Sequence, residues 1–200
     1  MDKVLILFAH PRLEKSRVNK MLIKHIPGRD NITFHDLYEN YPDFNIDIEY
    51  EKALLIEHNV IVWQHPFYWY SSPALLKQWI DMVLEFEWAY GPGGNALKDK
   101  VVMNVITTGG ARTSYQKTGY NNFTISEFMR PFEQTANLCK MIYLPPFTVQ
   151  GTHRLTDDDL EKYANQYDIL LQKLSGGKLK YSELQLLEVM NDVCVLKEVE

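Results

Sequence analysis

The stretch Lys3-Val4-Leu5-Ile6-Leu7-Phe8-Ala9 is a continuous apolar run with no polar alternation. A half-buried strand would alternate, so this one reads as a strand covered on both faces, the habit of parallel sheets. Val60–Gln64 (VIVWQ) and Val101–Thr107 (VVMNVIT) repeat the pattern. Weaker strands are expected at Asn31–Asp36 and near Met141–Leu144, the latter ending at Pro145-Pro146. Helical periodicity fills the intervals. From Ser16 the apolar residues Val18, Met21, Leu22 and Ile26 share one face, stopped by Pro27-Gly28. Further helices are expected over Ile46–His58, from Pro73 to about Leu84, and near Phe123–Leu138. The longest begins at Thr156, carries Asp157-Asp158-Asp159 at its positive end, and ends at Gly176-Gly177. Five such strands alternating with helices predict an α/β fold, a five-stranded parallel sheet with helices on both faces. Right-handed crossovers leave the order 2-1-3-4-5 as the natural one. Residues 1–175 are read as the domain and 176–200 as a C-terminal extension. A capping-box pattern at Ser182-Glu183-Leu184-Gln185 and an apolar run Val193-Cys194-Val195-Leu196 give that extension the look of a docking arm.

Composition excludes several classes. With 200 residues, 46% of them hydrophobic, and only 10 Gly and 9 Pro, the chain is no disordered or collagenous protein. Twenty-one Lys and Arg against 26 Asp and Glu give a net charge of −5, which argues against nucleic-acid binding. Two cysteines, Cys139 and Cys194, lack the spacing of a disulfide framework or a zinc site. None of the histidines has HExxH spacing, so no metal is expected. Val4–Ala9 is too short for a signal peptide. Residues 58–76 hold no Asp, Glu, Lys or Arg, but prolines and polar residues interrupt them too often for a membrane span. A cytoplasmic protein is the expectation.

In a sheet of this order the ligand crevice lies beyond the carboxyl ends of strands 1 and 3. Three loops leave there: His10 to Asn19, His65 to Pro73, and Thr107 to Tyr115. Together they bring four aromatics, hydroxyls, a glycine pair and a helix start to one place. A flat aromatic ligand bearing a phosphate would use all of these. Taken singly each signal has a plainer reading. Ser16 is a helix cap, His10 a structural histidine, residues 67–70 core or a dimer surface, and Thr107–Gly110 an ordinary strand exit.

Five segments carry a resemblance. They are His10-Pro11 with Ser16-Arg17-Val18-Asn19, Tyr41–Asp47 (YPDFNID), Gln64 to Asp81, Trp88-Ala89-Tyr90-Gly91, and Thr107-Thr108-Gly109-Gly110. The sequence resembles the flavodoxin-like NAD(P)H quinone reductases over about residues 3–174. It is most similar to the short bacterial branch that includes ancillary flavoproteins of glutathione-regulated potassium-efflux systems. The resemblance implies a flavodoxin-like fold and a flavin, FMN in preference to FAD, with NAD(P)H as co-substrate and a quinone or other electrophile as acceptor. It puts the flavin phosphate at His10, Ser16, Arg17, Val18 and Asn19. The isoalloxazine falls against Pro66, Phe67, Tyr68 and Trp69, with Thr107, Thr108, Gly109 and Gly110 at its pyrimidine end. Tyr115 matches the family's active-site tyrosine. The relay histidine of the larger animal enzymes falls on Asn121, with Tyr120 beside it. A homodimer is implied as well, for which Trp79, Met82, Val83, Phe86 and Trp88 offer apolar surface. The alternative function is a regulatory subunit docked on a potassium-efflux channel at the inner membrane face. An electron carrier is disfavoured, because a carrier needs no open ring face for a second substrate.

Overall fold

The computed structural model describes residues 1–24, 26 and 28–194. Pro27, Val195 and Leu196, which figure in the expectations above, lie outside the described residues. Strands β1 (Val4–Phe8), β3 (Val60–Pro66) and β4 (Val101–Thr108) are the three apolar runs, β2 (Ile32–Asp36) is the weaker strand expected there, and all are mutually parallel. The sheet order is β2-β1-β3-β4-β5, with β5 at Ile142–Tyr143. Every residue of β1, β3 and β4 is buried, as runs lacking alternation require.

The two faces divide the helices. Leu5, Leu7, Ile61, Trp63 and Val102 pack under the short α2 (Leu37–Asn40), α3 (Ile48–Glu57), α4 (Ala74–Val83) and α6 (Arg130–Leu138). Val4, Ile6, Phe8, Val62 and Val105 pack under α1 (Arg17–Ile23) and α7 (Asp157–Gly176). Thr156 caps α7 in a reciprocal pair with Asp159, and Gly177, at φ 67°, ends it in the left-handed conformation.

Four expectations are corrected. The sheet has six strands where five were expected: β5 ends before Pro145-Pro146 as read, but the chain resumes as β6 (Phe147–Gln150), which pairs with Val105–Thr108 beyond the point where β5 pairs with Val101 and Val102. The prolines, lacking N–H groups, interrupt the ladder without ending it. The helix expected near Phe123–Leu138 is broken into α5 (Ile125–Phe128) and α6, because Pro131 can occupy only a first turn. Trp79 and Val83 face the core, leaving Phe86 as the exposed apolar residue of the proposed interface stripe. Ser182 caps nothing. It lies inside α8 (Tyr181–Leu184), and Leu184, Met190 and Val193 pack against the domain's own core. The side-chain amide of Asn191 pairs with both backbone groups of Thr148 on β6, so the described part of the extension seals a sheet edge.

Candidate functional site

Beyond the carboxyl ends of β1, β3 and β4 the three predicted loops do converge. The first closes through a 3-10 turn at Leu13–Lys15 into α1, whose cap is Ser16. Ser16 Oγ accepts the N–H of Asn19 at 3.2 Å and its amide nitrogen at 3.1 Å. The same amide nitrogen donates to Thr107 Oγ1 at 3.2 Å, tying the first loop to the third. Asn19 is buried, and its Oδ1 has no partner among the described residues. His10 Nδ1 accepts the N–H of Arg12 at 3.1 Å, and burial lowers its pKa. The Val18 side chain belongs to the core. The Arg17 guanidinium turns to Asp157 at 2.6 Å.

The second loop is a tight turn. Tyr68 and Ser71 exchange backbone hydrogen bonds of 3.1 and 2.9 Å across Trp69 and Tyr70. Both central residues have positive φ, 48° and 63°, the requirement of a type I′ turn usually met by Asn-Gly. Bulky residues there carry strain of order 1–3 kcal/mol each, a condition that clusters at functional sites. The result is an indole 93% exposed at the crevice. Phe67, by contrast, is 9% exposed and sits edge-on to Tyr70, Tyr115 and Phe128. It supports the wall more than it forms it. Ser72 Oγ is buried without a partner among the described residues.

Beneath this loop runs a buried polar chain. Tyr143 donates to Asn104 Oδ1 at 2.7 Å, and Asn104 Nδ2 lies 3.1 Å from His65 Nε2. That orientation makes Nε2 the acceptor and leaves the ring proton on Nδ1, which donates to the Pro66 carbonyl at 2.9 Å. Full burial pushes His65 down to about 4, so the imidazole is neutral.

In the third loop, Thr108 Oγ1 donates to the Gly110 carbonyl at 2.7 Å. The N–H groups of Gly109 and Gly110 donate to no other group among the described residues. The Tyr115 ring packs on Gly110, where a β-carbon would lie 3.0 Å from Cε2. Burial raises the Tyr115 pKa, which the Thr108 hydroxyl partly offsets. Asn121 Oδ1 accepts from the Tyr70 hydroxyl at 3.3 Å, and Tyr120 stands exposed. A cavity of about 480 Å³ shares only Tyr115 with the predicted residues, its other walls coming largely from β6, α7 and residues 188–192.

Sequence reasoning missed a fourth loop, Gly151 to Leu155 after β6, which joins the same end of the sheet. It was hidden with β6 behind the two prolines.

A family model described as flavodoxin-like fold matches residues 2–171. The glutathione-regulated potassium-efflux system ancillary protein KefG of Salmonella paratyphi B is 48% identical over 176 residues, 88% of this chain and 96% of that one. A general stress protein 14 from Treponema denticola, solved in complex with FMN, superposes with a TM-score of 0.82 at 38% identity, covering 86% of this chain and 99% of its own. An NADPH-quinone reductase from P. pentosaceus gives a TM-score of 0.76 at 37% identity, with 82% and 95% covered. Among the described residues no helix is long and apolar enough to cross a membrane.

Proposed function

The chain belongs to the family of flavodoxin-like fold, and on that premise we propose that it is an FMN-dependent NAD(P)H oxidoreductase acting on quinone-like electrophiles. The observation that carries this reading is the convergence of a Ser-capped helix start, an exposed indole on a strained turn and two unspent glycine N–H groups. The donor set suits a flavin mononucleotide, and Asn19 Oδ1 at the same helix start, buried with no partner among the described residues, is a further polar group there. FMN is preferred to FAD because the first loop is compact and the T. denticola relative was solved with FMN.

When bound, flavin supplies acceptance of hydride from NAD(P)H and return of two electrons to an acceptor. The protein's part is to hold and to polarise. His10, Ser16, Arg17, Val18 and Asn19 would present backbone and hydroxyl groups to the phosphate. Pro66, Phe67, Tyr68 and Trp69 would bound the ring and exclude water. Thr107, Thr108, Gly109 and Gly110 would offer preorganised N–H groups to negative charge at the pyrimidine end. Tyr115, held protonated by burial, keeps its proton at the phenol oxygen until an acceptor draws on it. With asparagine at 121, that position supplies no imidazole to relay charge from the phenol.

The test is a visible spectrum of the purified protein, FMN titration by fluorescence quenching, then addition of NADPH and menadione. A yellow protein bleached by NADPH and recoloured by menadione is expected. A colourless protein that takes up neither FMN nor FAD overturns the reading. Trp69→Ala is expected to weaken FMN binding by about two- to tenfold, the equivalent of ~0.5–1.5 kcal/mol of stacking. Ser16→Ala should do less, since the backbone N–H groups remain. Equal affinities for wild type and Trp69→Ala would remove this loop from the site. Tyr115→Phe is expected to slow turnover by about tenfold or less with FMN content unchanged, below the usual range for a positioned acid. Superimposable stopped-flow traces would reduce Tyr115 to a wall residue.

A second reading is favoured by the KefG likeness. Here the protein is an ancillary subunit docked on a potassium-efflux membrane protein, peripheral at the inner face, with its redox activity incidental. Homodimerisation through exposed Phe86 and half-buried Met82 and Trp88, and a division into domain 1–175 and extension 176–200, complete the proposal.

A further inference from the structure

Gly109 and Gly110 lack side chains for two different neighbours. Tyr115 fills the space over Gly110. Over Gly109 it is His153: a β-carbon there would lie 3.0 Å from His153 Nε2 and 3.2 Å from its Cδ2. The backbone that carries His153 is clipped to the exit of β4. Gly151 N–H donates to the Gly110 carbonyl at 2.8 Å, Thr152 N–H to the Thr108 carbonyl at 3.1 Å, and Arg154 N–H back to Gly151 at 2.8 Å. Gly151 sits at φ 73°, a conformation that would strain any other residue. So a rigid backbone holds an exposed imidazole against a glycine of the site. Core packing does not explain it, and neither ring nitrogen is bonded to another described residue.

We propose that His153 is a positioning residue of the flavin site, set behind Gly109 so that the side chain at position 153 biases the balance between the oxidised and two-electron-reduced forms of the bound cofactor. This rests on the flavin reading above. The chemical reason lies in charge. NAD(P)H gives up a hydride, two electrons with one proton, and becomes NAD(P)⁺. With flavin bound, one negative charge would thereby be added to it, and the Gly109 and Gly110 N–H groups would face that charge. A side chain on the far side of Gly109 acts on that charge through its own dipole and charge, stabilising it when cationic and opposing it when anionic. With asparagine at position 121, this imidazole enters the site from a different loop.

A charge series tests it. His153→Lys, His153→Gln and His153→Glu are prepared with bound FMN, and the midpoint potential of each is measured with its FMN affinity. An exposed position tolerates all three, with changes in folding stability of about 0.5 kcal/mol or less. The potentials are expected to order as Lys above Gln above Glu. The Lys–Glu separation should correspond to at least a tenfold bias between oxidised and reduced FMN, about 30 mV for a two-electron couple. Coincident potentials, with wild type still binding FMN, overturn the inference alone. A uniform loss of FMN affinity in all three variants without ordering by charge also overturns it, since that is what mere packing against Gly109 would produce. Wild-type protein that takes up no FMN overturns the flavin reading, and this inference with it.

Discussion

Glu51→Ala is expected to lower the unfolding free energy by about 3–5 kcal/mol, the usual cost of removing one partner from a buried ionic cluster. Glu51 lies on α3 and is fully buried. Its carboxylate accepts from Tyr41 at 2.6 Å and from Trp79 Nε1 at 2.7 Å, and meets His35 Nε2 at 2.6 Å. Four segments, β2, the Tyr41 loop, α3 and α4, are thus tied at one point. Alanine would leave three buried donors without an acceptor, each at the full desolvation penalty. For a chain of this length the melting temperature should fall by about 10 °C. Glu51→Gln, which keeps one acceptor oxygen, should lose less. Urea titration followed by tryptophan fluorescence decides the matter, and a loss below about 1 kcal/mol would mean that the cluster contributes nothing net.

Acidification should cost the native state about 3 kcal/mol through His65 alone. Its imidazole is pushed down to about 4 by burial, whereas an unfolded chain holds it near 6.5. Between those two values the unfolded chain binds a proton that the folded one refuses. Stability is therefore complete above about pH 6.5 and is lost as pH falls toward 4. His10 and His58, also lowered by burial, act in the same direction. Unfolding free energies at pH 7 and pH 4, for wild type and His65→Gln, isolate the contribution. Glutamine can still accept from Asn104 but cannot titrate, so the variant should show a distinctly smaller loss. Parallel losses in both proteins would assign the acid sensitivity elsewhere.

Much of this molecule was written locally in its chain. Continuous apolar runs at 4–9, 60–64 and 101–107 can be satisfied only by a sheet covered on both faces, so the parallel α/β architecture and its order followed from pattern and crossover handedness. Thr156 and Gly177 act at the ends of α7 because capping needs only neighbours within a few residues. The crevice was legible too, since its loops are the ones that leave the carboxyl ends of those same strands.

The recognisable block Tyr41–Asp47 has a different lesson. Tyr41 serves Glu51, the Phe44 carbonyl at φ 65° takes the Gln78 amide, and Asp47 caps α3. Its residues build the support and hold no part of the crevice described above.

What the sequence by itself determined is the fold, its face-to-face layering and the end of the sheet at which the three candidate loops meet. Tertiary structure alone decided that a glutamate on α3 lies at the centre of the core and that Trp79 bonds to it instead of facing a partner. It also decided that β4 finds a sixth strand beyond two prolines, that Trp69 and Tyr70 take left-handed angles no local glycine announces, and that His153 reaches Gly109. The physical reason is the same in each case. Periodicity, capping and turn chemistry act over a few residues, whereas burying a charge, pairing a strand or seating a ring on a glycine depends on partners tens of residues away that exist only once the chain has packed.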